Sequence, residues 1–153
     1  MLLACIQTQA AAANLPPGTS KAVVFLLDAS NSMNTNDRER LAKDSIAQLI
    51  YSLPSNYYVG FAAYNTSVVS SVGMQDSRDR EPVMDAVDAV TYIGYTNAGA
   101  GLTTAMELLD TVSASEKTVV ILSDGEIIMN SDEATAESSL QFQAAVEAAR
   151  TEG

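Results

Sequence analysis

Five oxygen-bearing side chains stand at positions where the chain could turn them on a hard cation. They are Asp28, Ser30 and Ser32 of an Asp-x-Ser-x-Ser segment, then Thr96, then Asp124. Two carboxylates and three hydroxyls make an all-oxygen donor set, the kind that Mg²⁺ prefers, with Mn²⁺ and Ca²⁺ as alternatives. The alternation of Asp28, Ser30 and Ser32 lets one tight turn aim several oxygens at a common point. Other chemistries are removed by inventory. The chain has no histidine and a single cysteine, so His-based zinc sites, Ser-His-Asp triads, Cys-His dyads and disulfide frameworks are excluded.

Each of these residues alone has a plainer reading. Ser30 and Ser32 would be turn formers or helix caps, Asp28 a strand-end acceptor, and Asp124-Gly125 a simple turn. Their placement as a set is what points to a metal. Nearby, Asn97 and Glu126 read as solvated loop, Met33 as packing, and Tyr92 and Tyr95 as loop packing.

The elements that must position this set follow from the hydrophobic pattern. Val23–Leu27 is a continuous apolar run ending at Asp28, as expected of a parallel strand covered on both faces. Asn31–Asn36 is turn-rich, and Asn36 or Asp37 is placed to cap a helix. That helix carries Ala42, Ile46, Leu49, Ile50 and Leu53 on one face and stops at Pro54. Tyr57–Tyr64 reads as a second strand and Ser67–Val72 as an antiparallel third, since the gap between them permits a hairpin but no crossover. Helices are expected near 79–90, 99–109 and 135–152, with a buried strand at Lys117–Ser123 ending at Asp124. This alternation implies an α/β, doubly wound, Rossmann-like fold. Its sheet is mostly parallel with one antiparallel edge strand, and helices cover both faces. Ligand sites in such sheets lie beyond the strand C-termini, where Asp28 and Asp124 stand.

Taken together, VVFLLDASNSM, YTNAGAGL and VVILSDGE resemble the von Willebrand factor A (VWA) family with its metal-ion-dependent adhesion site (MIDAS). The likeness runs from about Lys21 to Gly153, with three motifs in the family's order. It implies that the Ser30 and Ser32 hydroxyls bind Mg²⁺ directly. Asp28 and Asp124 would act largely through bound water, and Thr96 would join when a ligand binds. A vacant position would accept a Glu or Asp of a protein partner, so the resemblance implies a cation-dependent, adhesion-type binding module and no enzyme. Two departures stand out. Tyr95 precedes Thr96 where many relatives have Gly, although Gly94 lies one residue earlier. The resemblance also implies about two further strands and a closing helix beyond Glu152. Residues 21–153 therefore read as a VWA domain that lacks its C-terminal strands, with Lys117–Ser123 left as an open edge, inside a larger multidomain protein.

Residues 1–20 read as a separate tail. Met1–Ala13 is apolar and uncharged, either a disordered tail or the remnant of a secretory signal or lipoprotein box around Cys5. Asn14–Ser20 reads as a linker. A signal would place the protein outside the cell or on its surface; the cytoplasm is the alternative. The net charge of −11 repels nucleic acids and anionic membranes, and no apolar stretch has the length to insert in a bilayer.

Two rivals keep a metal. An intracellular VWA subunit assembling with an AAA⁺ ATPase, as in chelatases, keeps the fold and changes the role. A Mg²⁺-dependent phosphoryl hydrolase of the haloacid dehalogenase type would need a second Asp where Ser30 stands. A Walker motif is absent.

Overall fold

A computed structural model describes residues 2–9 and 20–151. The strand β2 (Lys21–Asp28) is buried along nearly its whole length because both of its faces are covered. Its side chains alternate between two cores. Val23, Phe25 and Leu27 face one side, where they pack with Ala42, Ile46 and Ile50 of α2 (Leu41–Ser52) and Val83 and Val87 of α3 (Glu81–Ala89). Ala22, Val24 and Leu26 face the other, against Leu102, Ala105 and Leu109 of α4 (Ala98–Asp110). Phe142 and Val146 of α5 (Asp132–Thr151) close that second layer. Helices on both faces thus follow from an uninterrupted apolar strand, which needs cover twice.

Among the described residues five strands form the sheet, in the order β1-β5-β2-β3-β4. The strands β3 (Tyr57–Tyr64) and β5 (Glu116–Ser123) both run parallel to β2. The strand β4 (Val68–Asp76) is antiparallel to β3, as the short connection demands,.

One edge differs from the sequence-based expectation. Leu2–Gln9, read from sequence as part of a tail, forms β1, which pairs antiparallel with β5 from Leu2↔Ser123 to Gln9↔Glu116. The sheet therefore has two antiparallel edge strands, and β5 is not left open. The physical reason is that the unpaired N–H and C=O groups of a strand edge take any extended segment within reach. The expected linker at 14–20 lies outside the described residues except for Ser20, as do Ala10–Ala13 and the last two residues. Among the described residues, no helix is long and apolar enough to cross a membrane.

Smaller differences have local causes. Asn31–Asn36 holds a short helix, α1 (Met33–Asn36), with Met33 fully buried in the core. Leu49, expected on the buried face of α2, is 40% exposed, because Ala42, Ile46 and Ile50 already fill the α2 stripe. The close approach of α4 to β3 depends on Gly101, where a Cβ would fall 2.4 Å from the Tyr64 ring. That packing brings the N-terminus of α4, and with it the Thr96 loop, over the ends of the parallel strands.

Candidate metal centre

Asp28 closes β2 and is completely buried. Its Oδ1 accepts the Ser30 N–H at 2.8 Å, and its Oδ2 accepts the Ser123 hydroxyl at 2.8 Å. Burial pushes its carboxyl above the ordinary aspartate range; bonds from Ser30 and Ser123 oppose the shift, and the nearby charge of Asp124 adds to it,. The carboxylate thus fixes the turn that follows it. Within that turn the Ser30 and Ser32 hydroxyls lie 3.0 Å apart. Ser32 occupies the N-cap of α1, yet its side chain makes no capping bond. The capping role that sequence offers for this serine is unused, which leaves its hydroxyl for another acceptor or ion.

The second loop is held against the first by backbone bonds. Ile93 N–H donates to Ala29 O at 2.8 Å, and Asn31 N–H donates to Gly94 O at 3.0 Å. Gly94 has φ +87°, and a Cβ there would lie 2.8 Å from the Thr66 hydroxyl oxygen, so this turn requires glycine. Gly94 thereby supplies the flexibility that Tyr95 lacks. Thr96, two residues on, is buried, and its N–H donates to Ile128 O at 2.7 Å.

Asp124 follows β5. Its Oδ2 accepts from Asn36 Nδ2 at 2.9 Å. Its Oδ1 is buried and has no hydrogen-bond partner, alone among the buried side-chain N and O atoms of the described residues. The next residue, Gly125, has φ +97°, and its N–H donates to Ser123 Oγ at 3.0 Å. Ser123 therefore links both carboxylate loops: it accepts from one and donates to Asp28 of the other. The Tyr64 phenol is buried beside it, pushed far up by desolvation and then by the charge of Asp28.

The structure thus ties the three loops that carry Asp28, Ser30, Ser32, Thr96 and Asp124 into one hydrogen-bonded unit beyond the strand C-termini. Among the described residues no three Asp, Glu or Cys side chains converge as a metal cage; this centre holds two acids and relies on hydroxyls. A buried carboxylate oxygen without a donor costs several kcal/mol in principle, and a hard cation is one partner that removes the cost. The residues present fit such an ion.

Sequence reasoning passed over three residues here. Ser123 and Asn36 orient the two carboxylates; Ser123 is signalled only by its place at a strand end, and Asn36, a helix-cap candidate in sequence, donates to Asp124 instead while Arg40 takes the N-cap of α2. Asn97, read as solvated loop, is instead the N-cap of α4. Its Oδ1 accepts the Ala100 N–H at 3.2 Å and the Ser138 hydroxyl at 2.9 Å, because a helix start packed against α5 needs its donors satisfied.

Residues 22–153 match the von Willebrand factor type A domain family. Several solved structures share the fold. The vWF domain of the type V pili tip protein Mfa5 from Porphyromonas gingivalis is 20% identical with a TM-score of 0.64, over 71% of this chain and 39% of that one. A von Willebrand factor type A protein from Catenulispora acidiphila is 17% identical with a TM-score of 0.63, over 92% and 37%. The pilus adhesin SpaC from Lactobacillus rhamnosus GG is 16% identical with a TM-score of 0.54, over 72% and 15%. The chain therefore spans well under half the length of each of these proteins.

Proposed function

This chain belongs to the von Willebrand factor type A domain family, and from that premise we propose that it is a divalent-cation-dependent protein-binding module of adhesion type. The observation that carries the reading is Asp124 Oδ1, a buried carboxylate oxygen without a donor, set among loops whose serine hydroxyls are not spent on capping. Ser30, Ser32 and Thr96 would hold the ion through neutral oxygens, with Asp28 and Asp124 acting through bound water. The ion would supply positive charge to an acidic side chain of the partner. Neutral direct ligands leave that charge incompletely balanced, which lets a chain of net charge −11 bind an acid.

The chain's own groups do the positioning. Asp28 locks the Ser30 turn through its two accepted bonds, Asn36 holds one oxygen of Asp124, and the Gly94 turn delivers Thr96. We read the site as binding rather than catalytic: a chain without histidine offers no Ser–His or Cys–His pair to activate a nucleophile in these loops. Several similar folds belong to pilus tip and adhesin proteins, which supports a place on a cell surface within a multidomain protein.

Calorimetric titration with Mg²⁺ and Mn²⁺ tests this reading. Wild type should bind in the micromolar to millimolar range, and the Ser30→Ala/Ser32→Ala double variant should bind at least ~10-fold more weakly while staying folded. Equal affinity for both would remove the site.

A further inference from the structure

We infer that Tyr64 is a positioning residue of the cation centre, whose phenol holds the Ser123 hydroxyl and through it keeps Asp28 oriented; this rests on the cation-binding reading above. Strand register puts the three residues in one row. Asp28 is the partner of Tyr64 in the pairing of β2 with β3. The pairing of β2 with β5 runs to Leu27↔Leu122, so the next residues, Asp28 and Ser123, stand side by side. Side chains of one row share a face of the sheet, here the face on which Leu26, Tyr64 and Ile121 pack with α4.

Two contacts fix Tyr64 within that row. Its carbonyl accepts the Ala29 N–H at 2.7 Å. Its ring lies so close to Gly101 that a Cβ there would collide with it, which leaves the ring no room to swing towards α4. The tyrosine and Ser123 also line a common cavity of about 140 Å³. Apart from Gly125 and the exposed Glu126, its other walls are Ala98, Ile121, Ile127 and Phe142. A hydroxyl buried against such walls is costly unless it is paired. Phenylalanine would fill the same space without that cost, so the hydroxyl is what calls for a role.

Ser123 has a place for it. A serine hydroxyl offers one proton and two lone pairs. Ser123 gives its proton to Asp28 Oδ2 at 2.8 Å and accepts the Gly125 N–H at 3.0 Å. The lone pair that remains takes the Tyr64 O–H. Desolvation, and then the charge of Asp28, hold the phenol far above its ordinary range, so it stays a donor at every pH near neutrality. With two donors behind it, the Ser123 hydroxyl keeps its proton aimed at Asp28, and bonds in such a chain strengthen one another. Asp28 in turn holds the Ser30 N–H with its other oxygen. The row therefore ends on the turn that presents Ser30 and Ser32.

The test is a double-variant cycle on the full chain, read by Mn²⁺ calorimetry. It compares wild type, Tyr64→Phe, Ser123→Ala and the two changes together, with circular dichroism and metal-free urea unfolding as folding controls. Tyr64→Phe keeps the ring against Gly101 and removes only the hydroxyl. If Ser123→Ala does not hold its fold, Ser123→Cys, whose thiol is a weaker donor and acceptor, takes its place. Ser123→Ala removes a direct partner of a metal-site carboxylate and should lose roughly 10- to 100-fold in affinity; Tyr64→Phe acts one bond further out and should lose about three- to ten-fold. The deciding expectation is non-additivity. In the Ser123→Ala background, Tyr64→Phe should change affinity by less than about two-fold, because its route to Asp28 is already gone. A tyrosine that only packs would shift urea unfolding and weaken both backgrounds alike. Equal losses in both backgrounds, or unchanged affinity in Tyr64→Phe, overturn the positioning role and leave the cation reading in place. Folded wild type that binds no Mn²⁺ overturns both.

Discussion

Asp37 and Asp124 are neighbours in the fold, bridged by Asn36, which precedes the one and donates to the other. Their surroundings are opposite. Asp37 is buried at 3% exposure, accepts the Ala42 N–H through both oxygens, and accepts the Tyr92 hydroxyl at 2.6 Å. Arg40 lies 4.3 Å above the Tyr92 ring, and burial together with the bond to Asp37 pushes the phenol well above its ordinary range. Every oxygen of Asp37 is occupied by the chain itself. Asp124 has one oxygen occupied by Asn36 and the other buried with no donor. Residue type does not separate these two acids, and although Asp124 as a whole is less buried than Asp37, its Oδ1 is buried. What each leaves unsatisfied separates them: Asp37 is a clamp between α2 and the Tyr92 loop, and Asp124 is incomplete without something from outside the chain.

The contrast breaks most visibly at Asp37. Asp37→Ala strands the Tyr92 hydroxyl and the first donors of α2, and urea unfolding should show a loss of about 2–4 kcal/mol, with or without Mg²⁺. A loss below about 1 kcal/mol would mean that the clamp is dispensable. Asp124→Asn should do the reverse. Stability without metal should stay within about 1 kcal/mol of wild type, whereas Mn²⁺ affinity measured by calorimetry should fall roughly 10- to 100-fold. If the asparagine variant unfolds early and keeps its affinity, the two acids have been assigned the wrong way round.

Two smaller effects sharpen the picture. Gly94→Ala puts a side chain at φ +87° against Thr66, and it should cost about 1–2 kcal/mol of stability, with a weaker cation site because Thr96 shifts. Unchanged thermal unfolding would show that the turn relaxes freely. Asn36→Ala frees Asp124 Oδ2 without removing charge, so calorimetry should record a loss of affinity smaller than ~10-fold. A larger loss than that of Asp124→Asn would make Asn36 a ligand rather than a tether.

These distinctions mark where sequence reading succeeds and where it stops. Tyr57–Tyr64 reads as a strand and forms β3 with those limits, because a buried apolar run and a turn on each side are local signals. The places of Asp28 and Asp124 after strands followed in the same way. The bond from Asn36 to Asp124 spans 88 positions and leaves no periodicity to detect, and the Ser123–Asp28 bond spans 95. Asn97 looked like loop because capping depends on which helix packs over it. The strand β1 reads as tail in sequence because eight uncharged residues, apolar up to Ile6 and polar from Gln7 to Gln9, carry no partner information; pairing supplies it. Local propensity finds elements, whereas completion of individual oxygens appears only when distant loops meet.

The central claim is that the loops carrying Asp28, Ser30, Ser32, Thr96 and Asp124 hold one divalent cation beside the unpaired oxygen of Asp124. Crystals grown with Mn²⁺ and measured for anomalous scattering test it most directly. A single strong peak is expected among the hydroxyls of Ser30, Ser32 and Thr96, on the side of Asp124 Oδ1, that disappears in the Ser30→Ala/Ser32→Ala variant. A map with no peak there at saturating Mn²⁺, or with the ion bound elsewhere, would contradict it.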